Sequence, residues 1–249
     1  MKDLLFILSL CLSALAIMMK LAYNKLRKRN SLVKFVNVKG IENVLLVVAH
    51  PDDECMFFGP AVRVLAELGC NLHVLCLSKG LGSTKRENEL RESCRVMGIA
   101  ECSCIDDIRL VDGMDEEWEE EAVKEHVLAI LNKRLVDLII TFDDYGVSGH
   151  PNHIAVSRGT RLAWREYKKR PLELLQLESV WLWRKYLGIA NVAVDVLRND
   201  VMAVPIPYEA YWIGQEAMQK HASQLLWFRK LHLFFSRYVY LNSFVKMEQ

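Results

Sequence analysis

Residues 44–58 read VLLVVAHPDDECMFF. The opening run, Val44–Ala49, is continuously apolar and rich in valine, which predicts a strand buried on both faces of a parallel sheet. His50, Pro51, Asp52, Asp53 and Glu54 follow at once. Adjacent carboxylates repel one another and lose solvation when crowded, so a purely structural turn gains nothing from three in succession. Either the turn is fully solvated, or something positive sits among the side chains.

Working outward, strand and helix patterns alternate. A helix is expected over Cys55–Leu68, closed by Gly69, then a strand at Leu72–Leu77 and a helix over Thr84–Met97 stopped by Gly98. A short strand at Cys102–Ile105, an acidic helix Glu116–Asn132, a strand Leu138–Phe142 and a helix Asn152–Tyr167 complete the series. This alternation predicts a Rossmann-like α/β domain, a mainly parallel sheet with helices on both faces. Beyond Pro171 the pattern weakens: strands are expected at Val180–Trp183 and Val201–Val204, and a long helical or broken-helical region over Glu216–Tyr240. In such sheets ligands gather beyond the carboxyl ends of the strands. The segment DDYGVSGHPNH (143–153) follows the Leu138–Phe142 strand as HPDDE follows the first, so both polar clusters belong on one edge of the sheet.

The chain has 249 residues, 52% of them hydrophobic and 25% charged, enough for one large domain with an appendage. A net charge of +1 argues against nucleic acid as a partner held by bulk electrostatics. The seven scattered cysteines form no paired framework and read as reduced residues of a cytosol-facing domain. The appendage is N-terminal: Leu4–Met19 carries no charge, and Lys20 and Leu21–Tyr23 extend it towards bilayer length, giving a single membrane-spanning helix over 1–23. Lys25, Arg27, Lys28 and Arg29 on its C-terminal side place that side in the cytosol. A cleaved signal peptide ending near Ala14-Leu15-Ala16 is the competing reading, opposed by the basic flank. Residues 24–43 are expected as a basic and polar linker, and 44–249 as the globular domain.

A catalytic metal site needs three N or O ligands and one open position. His50-x-x-Asp53 and His150-x-x-His153 together satisfy that count, with His50, Asp53 and one histidine of the second pair. Asp52 is then free to take a proton from water at the metal, and the remaining histidine to stabilise an oxyanion or protonate a leaving amine. Each half alone has a plainer explanation. Glu54 complements a helix dipole, and HPNH serves as a helix entrance with Asn152 as cap and Pro151 setting the turn.

AHPDDE after an apolar strand, with SGHPNH about a hundred residues later, resembles the PIG-L/LmbE family of zinc-dependent N-acetylglucosamine deacetylases. The resemblance continues through R-x-x-E-L at Arg86–Leu90, ESCRVMGI (92–99), LVDLIITF and HASQLLWFRKLHLFFSRY (221–238). It implies Zn2+ bound by His50, Asp53 and His153, Asp52 as general base, and His150 supporting the transition state. The C-terminal block and the anchor resemble the family's eukaryotic branch. That branch implies a glycolipid substrate, N-acetylglucosamine linked to phosphatidylinositol, in the bilayer of the endoplasmic reticulum, as a step in glycolipid-anchor synthesis. A deacetylase of another, soluble N-acetylglucosamine conjugate and a binding protein without turnover are the rival readings. The family's glycine-bearing loop after the second strand is shorter here, at Ser78–Gly82.

Arg86 matches a family arginine placed for a sugar or phosphate, against the plainer reading of a surface arginine paired with Glu89. His73 is expected as a structural histidine in a strand, His126 as solvated, and His221 as a capping or packing residue. Gly80-x-Gly82 lacks the spacing of a dinucleotide fingerprint. The aromatic and basic stretch Leu225–Val245 is expected to pack as a terminal helix with partial membrane contact.

Overall fold

The computed structural model describes residues 2–80, 84–198, 200–207 and 210–248. Its elements run α1 (Lys2–Arg29), α2 (Ser31–Lys39), β1 (Asn43–Val48), α3 (Asp53–Met56), α4 (Gly59–Glu67), β2 (Asn71–Cys76), α5 (Thr84–Met97) and β3 (Glu101–Cys104). They continue with α6 (Glu120–Lys133), β4 (Leu138–Phe142), α7 (Gly146–Gly149), α8 (Pro151–Glu166), β5 (Glu173–Leu177), α9 (Leu182–Lys185) and α10 (Asn191–Asp195). The last are β6 (Met202–Pro205), α11 (Tyr211–Lys220), α12 (Trp227–Phe235) and β7 (Leu241–Lys246).

The strands form one sheet in the order β3-β2-β1-β4-β5-β7-β6. β3 through β5 are parallel, and β7 runs antiparallel to both of its neighbours. The crossovers from β1 step one way through α4 and α5, and from β4 the other way through α8. Right-handed connections therefore put these helices on opposite faces and leave a switch point between β1 and β4. α6 lies against α8 at close range: a Cβ on Gly159 would meet the Glu120 carbonyl oxygen at 2.5 Å, so only glycine fits there. Val44–Ala49 and Leu138–Phe142 are fully buried, as continuous apolar runs in a covered sheet must be.

Several local expectations change. Residues 24–43, expected as a basic and polar linker, are largely helical. α1 continues to Arg29, and α2 is capped by Asn30, whose Oδ1 accepts from Leu32 N at 3.1 Å. Leu32 and Val36 share one face of α2 and are buried in the main core, which makes a helix worth more than a solvated strap. The expected helix Cys55–Leu68 is broken at Phe57–Phe58 into α3 and α4. Val180–Trp183 forms no strand, whereas Val201–Val204 does, shifted by one residue as β6. The terminal region breaks into α11 and α12 and ends in β7.

α1 carries exposed apolar side chains from Leu5 to Leu21 and is long and apolar enough to cross a membrane. Its C-terminal part belongs to the domain. Leu26 is buried with Val192, Ala203 and Leu241, flanked by Met19, Ala22 and Tyr23. The Tyr23 hydroxyl donates to the Ile206 carbonyl, and Arg29 donates to the Val196 carbonyl at 3.4 Å.

Candidate active site

The chain leaves β1 in a turn that splits its three carboxylates. Asp52 adopts φ 117°, and the only other non-glycine positive φ among the described residues is Val147 at 68°, after β4. Both are costly conformations for L residues, and both lie at the same edge of the sheet. Asp53 turns back over β1, where its Oδ2 accepts the amides of Ala49 at 3.0 Å and His50 at 2.8 Å. That leaves Oδ1 facing His153 Nε2 at 3.4 Å, while His50 Nδ1 stands 3.9 Å from Oδ2. Burial alone would push the Asp53 carboxyl up, but the His153 and His50 rings and the His50 amide hold it well below the usual carboxylate range.

The second half comes from β4. Gly146, at φ 60°, lies so close to His153 that a Cβ would meet the His153 Cβ at 2.7 Å, a close approach reserved for glycine. The Gly146 carbonyl is 3.1 Å from His153 Nδ1 and accepts the ring proton there. In the neutral ring that a metal needs, His153 Nε2 is then the lone-pair nitrogen; it is buried and without a hydrogen-bond partner. Phe142 stacks on one face of the ring at 4.2 Å between centroids and His150 on the other at 4.7 Å, which fixes its plane.

His50 is oriented in the same way. Its Nε2 lies 3.0 Å from Asn152 Oδ1 and 3.1 Å from Asp112 Oδ1, both acceptors, so Nε2 carries the proton and Nδ1 offers a lone pair. Burial lowers its pKa, favouring the neutral ring that a metal needs. His50, Asp53 and His153 are all buried, and their ligand atoms lie within 4.8 Å of one another. Two lone-pair nitrogens and one free carboxylate oxygen, one of the nitrogens orphaned, fit a divalent cation.

Asp52 and His150 flank this cage. Burial pushes the Asp52 carboxyl up to about 7, against Arg229, whose guanidinium sits 2.7 Å from Oδ2. His150, half-buried, is lowered to about 4 by burial and by the His153 and His50 rings, so it is neutral at pH 7. Its Nδ1 accepts the Asn152 amide at 3.2 Å, which leaves the proton on Nε2. His150 thus caps α8, in place of the expected Asn152; Pro151 sets the turn as expected.

The structure also supplies residues that sequence reasoning passed over. Glu54 lies in the first turn of α3 as expected, but it is fully buried, and His221 Nε2 lies 2.8 Å from its Oε1. Burial opposes both charges, yet Glu54 ends below its usual range and His221 above, the mark of an ion pair. Ser93 Oγ donates to the same Oε1, and Glu54 Oε2 accepts the Asp52 amide at 3.0 Å. Asp112 bridges His50 to Arg86, whose Nη1 is 2.8 Å away and whose Nη2 reaches the Pro51 carbonyl at 3.4 Å. Arg86 therefore faces the HPDDE turn; Glu89 instead accepts the Ser223 amide at 2.9 Å. No local pattern announces Asp112, His221 or Arg229; they converge only through the fold. His73 is structural as expected, 3.1 Å from Ser103 Oγ, while His126 is held by Asp107 at 2.9 Å rather than solvated. Of the short loop at 78–82, Leu81 and Gly82 lie outside the described residues.

A switch-point cage of two imidazoles and a carboxylate, with a second carboxylate and a neutral imidazole beside it, suits metal-assisted hydrolysis. Residues 45–164 match the PIG-L family of GlcNAc-PI de-N-acetylases. The chain is 39% identical over 211 residues to N-acetylglucosaminyl-phosphatidylinositol de-N-acetylase of Bos taurus, covering 82% of this chain and 83% of that protein. It is 31% identical over 246 residues to the probable enzyme of the same name from Dictyostelium discoideum, covering 83% and 94%. The chain belongs to the PIG-L family of deacetylases. The solved structure of N,N'-diacetylchitobiose deacetylase from Pyrococcus horikoshii, bound to an inhibitor, shares the fold with a TM-score of 0.60 at 16% identity, covering 92% of each chain.

Proposed function

We propose that the protein removes the N-acetyl group of N-acetylglucosaminyl-phosphatidylinositol, releasing acetate and leaving the glucosaminyl lipid, in the synthesis of glycosylphosphatidylinositol anchors. The names of the Bos taurus and Dictyostelium relatives support the substrate. The apolar α1 and the basic residues after it support a single-pass protein of the endoplasmic reticulum membrane with its domain in the cytosol. His50, Asp53 and His153 hold Zn2+, which when bound supplies Lewis-acid polarisation and lowers the pKa of water. The observation that carries this reading is the orphaned, buried Nε2 of His153 facing the free oxygen of Asp53.

The chain's own groups then divide the work. Asp52, poised near neutral pH, accepts a proton from the attacking water. Arg229 keeps that carboxylate in place. His150 presents Nε2–H to the oxygen that becomes negative as the amide turns tetrahedral. Of the two roles expected of His150, its low pKa favours this donor role over protonating the amine, and the proton collected by Asp52 is then available to the departing nitrogen. Arg86, oriented by Asp112 beside Pro51, is placed to contact the sugar or phosphate. Acetate release from the glycolipid, measured before and after chelation and with zinc restored, tests the proposal. Loss and recovery of activity are expected; release indifferent to chelation would sink it.

A further inference from the structure

α12 is built inside out. Trp227, Phe228, Leu231, Phe234 and Phe235 recur at the three- and four-residue spacing of one helical stripe. All five are exposed, while His232 and Leu233 on the other side are buried. The stripe has neighbours. The turn Gly188–Ala190 lies against the end of α12, where a Cβ on Gly188 would meet the Phe235 carbonyl oxygen at 3.4 Å. That turn follows α9, beside which Trp181 and Trp183 stand 79% and 62% exposed. Gln215 of α11 donates to the Leu233 carbonyl at 3.1 Å, and Trp212, one turn before it, is 69% exposed. Four of the six tryptophans are thus exposed on or beside elements that meet α12. Solvent-exposed apolar area of this extent marks an interaction site.

The occupant follows from composition and position. Neither 180–189 nor 226–235 contains an acidic residue; Lys230 is exposed among the aromatics, whereas Arg184 and Arg229 turn inward to Asp195 and Asp52 and Lys185 is buried. Exposed tryptophan and aliphatic side chains with no acidic residue among them are the composition of a membrane interface. Position agrees. The turn runs directly into α10, and Val192 of α10 is buried against Leu26 of α1. The helix that offers a bilayer span and the aromatic surface are therefore adjacent parts of one body.

We infer that α9, the turn at Gly188–Ala190 and α12 form a second membrane contact, lying in the boundary between headgroups and acyl chains of the bilayer that α1 crosses. The inner side of α12 carries Arg229 to Asp52 at 2.7 Å, and His232 Nε2 donates to the Met56 carbonyl at 3.1 Å. The candidate base thus sits directly behind the immersed helix. A lipid-linked sugar reaches it without its tails leaving the bilayer. This use of the surface rests on the glycolipid reading; the contact itself does not.

The test is tryptophan emission from the full chain in phosphatidylcholine–phosphatidylserine vesicles with plain or brominated acyl chains. α1 contains no tryptophan and contributes no signal. Emission is expected to fall by about half in brominated vesicles, the interfacial tryptophans being quenched and the buried Trp118 and Trp164 spared. The variant Trp181→Phe/Trp183→Phe/Trp212→Phe/Trp227→Phe should lose that quenching. Equal emission from the wild type in both vesicles, or quenching retained by the variant, overturns the inference; the first result would mark the surface as a protein interface. In a second arm, Leu231→Ser/Phe234→Ser, with its melting temperature checked, should lower acetate release from vesicle-borne glycolipid about tenfold through KM. Release from a water-soluble headgroup analogue should stay unchanged, and an equal loss on both substrates would contradict the inference. Absence of release from either substrate by the wild type would refute the deacetylase reading, while the quenching result would still decide the membrane contact.

Discussion

The turn at Asp52–Glu54 is held from two sides that differ in kind. From within, the ends of β1 and β4, buried over Val44–Val48 and Leu138–Phe142, bring His50, Asp53 and His153 together. From outside, the segment from α11 to α12 supplies His221 to Glu54 and Arg229 to Asp52. The inner half offers lone pairs to an ion, and its polar atoms are aimed but not all satisfied. The outer half closes on itself in ion pairs. The contrast teaches that neighbouring carboxylates are tolerated because each faces a different group: the His50 and His153 rings of the proposed metal cage for Asp53, the Arg229 guanidinium for Asp52, the His221 ring for Glu54.

The largest effect that sharpens this contrast is on Asp52. Asp52→Asn should lower the acetate-release rate by about 10²–10⁴-fold, the range for loss of a positioned base, without changing bound metal. An unimpaired rate would remove Asp52 from the chemistry. His221→Ala acts on the outer half instead. It leaves Glu54 buried without its partner, and denaturant unfolding should show a loss of about 3–5 kcal/mol. A change below about 1 kcal/mol would mean that the pair does not hold the turn.

That contribution has a predictable pH window. Glu54, below its ordinary 4.5, stabilises the fold above that value and loses the contribution as pH falls. His221, above its ordinary 6.5, stabilises below that value and loses the contribution as pH rises through its folded pKa. The stability gap between wild type and His221→Ala should therefore be widest between about pH 4.5 and 6.5 and narrow on either side. A smaller effect is expected of Arg229→Gln. Removing the guanidinium lets the Asp52 pKa rise further, so the acid limb of the rate profile moves to higher pH. The loss should be roughly tenfold at pH 7 and recover in alkaline buffer; an unshifted limb would show that Arg229 does not act through Asp52.

The inner half was legible in the sequence for a physical reason. Each ligand pair lies within one turn of the chain, directly after an apolar run that can only be a covered strand, so motif and strand end report position together. The outer half was not. His221 meets Glu54 across 167 residues, and Arg229 meets Asp52 across 177, contacts that no local periodicity encodes. The burial of Glu54 and its ion pair are hidden because dipole complementarity alone explains an acidic helix start. β7 was read as helix because the apolar spacing of 227–235 continues into it, and only pairing with β5 and β6 makes Leu241–Lys246 a strand. The α12 stripe carries the same lesson: its periodicity marks a helix correctly and says nothing about which side meets the protein.

Metal content per chain, determined after purification and dialysis against Zn2+-containing buffer for wild type, Asp52→Asn and His153→Ala, tests the central claim most directly. The account predicts close to one bound ion in the first two proteins and none in the third, with folding of the third verified by its melting temperature. A folded His153→Ala protein that keeps a stoichiometric ion would contradict it.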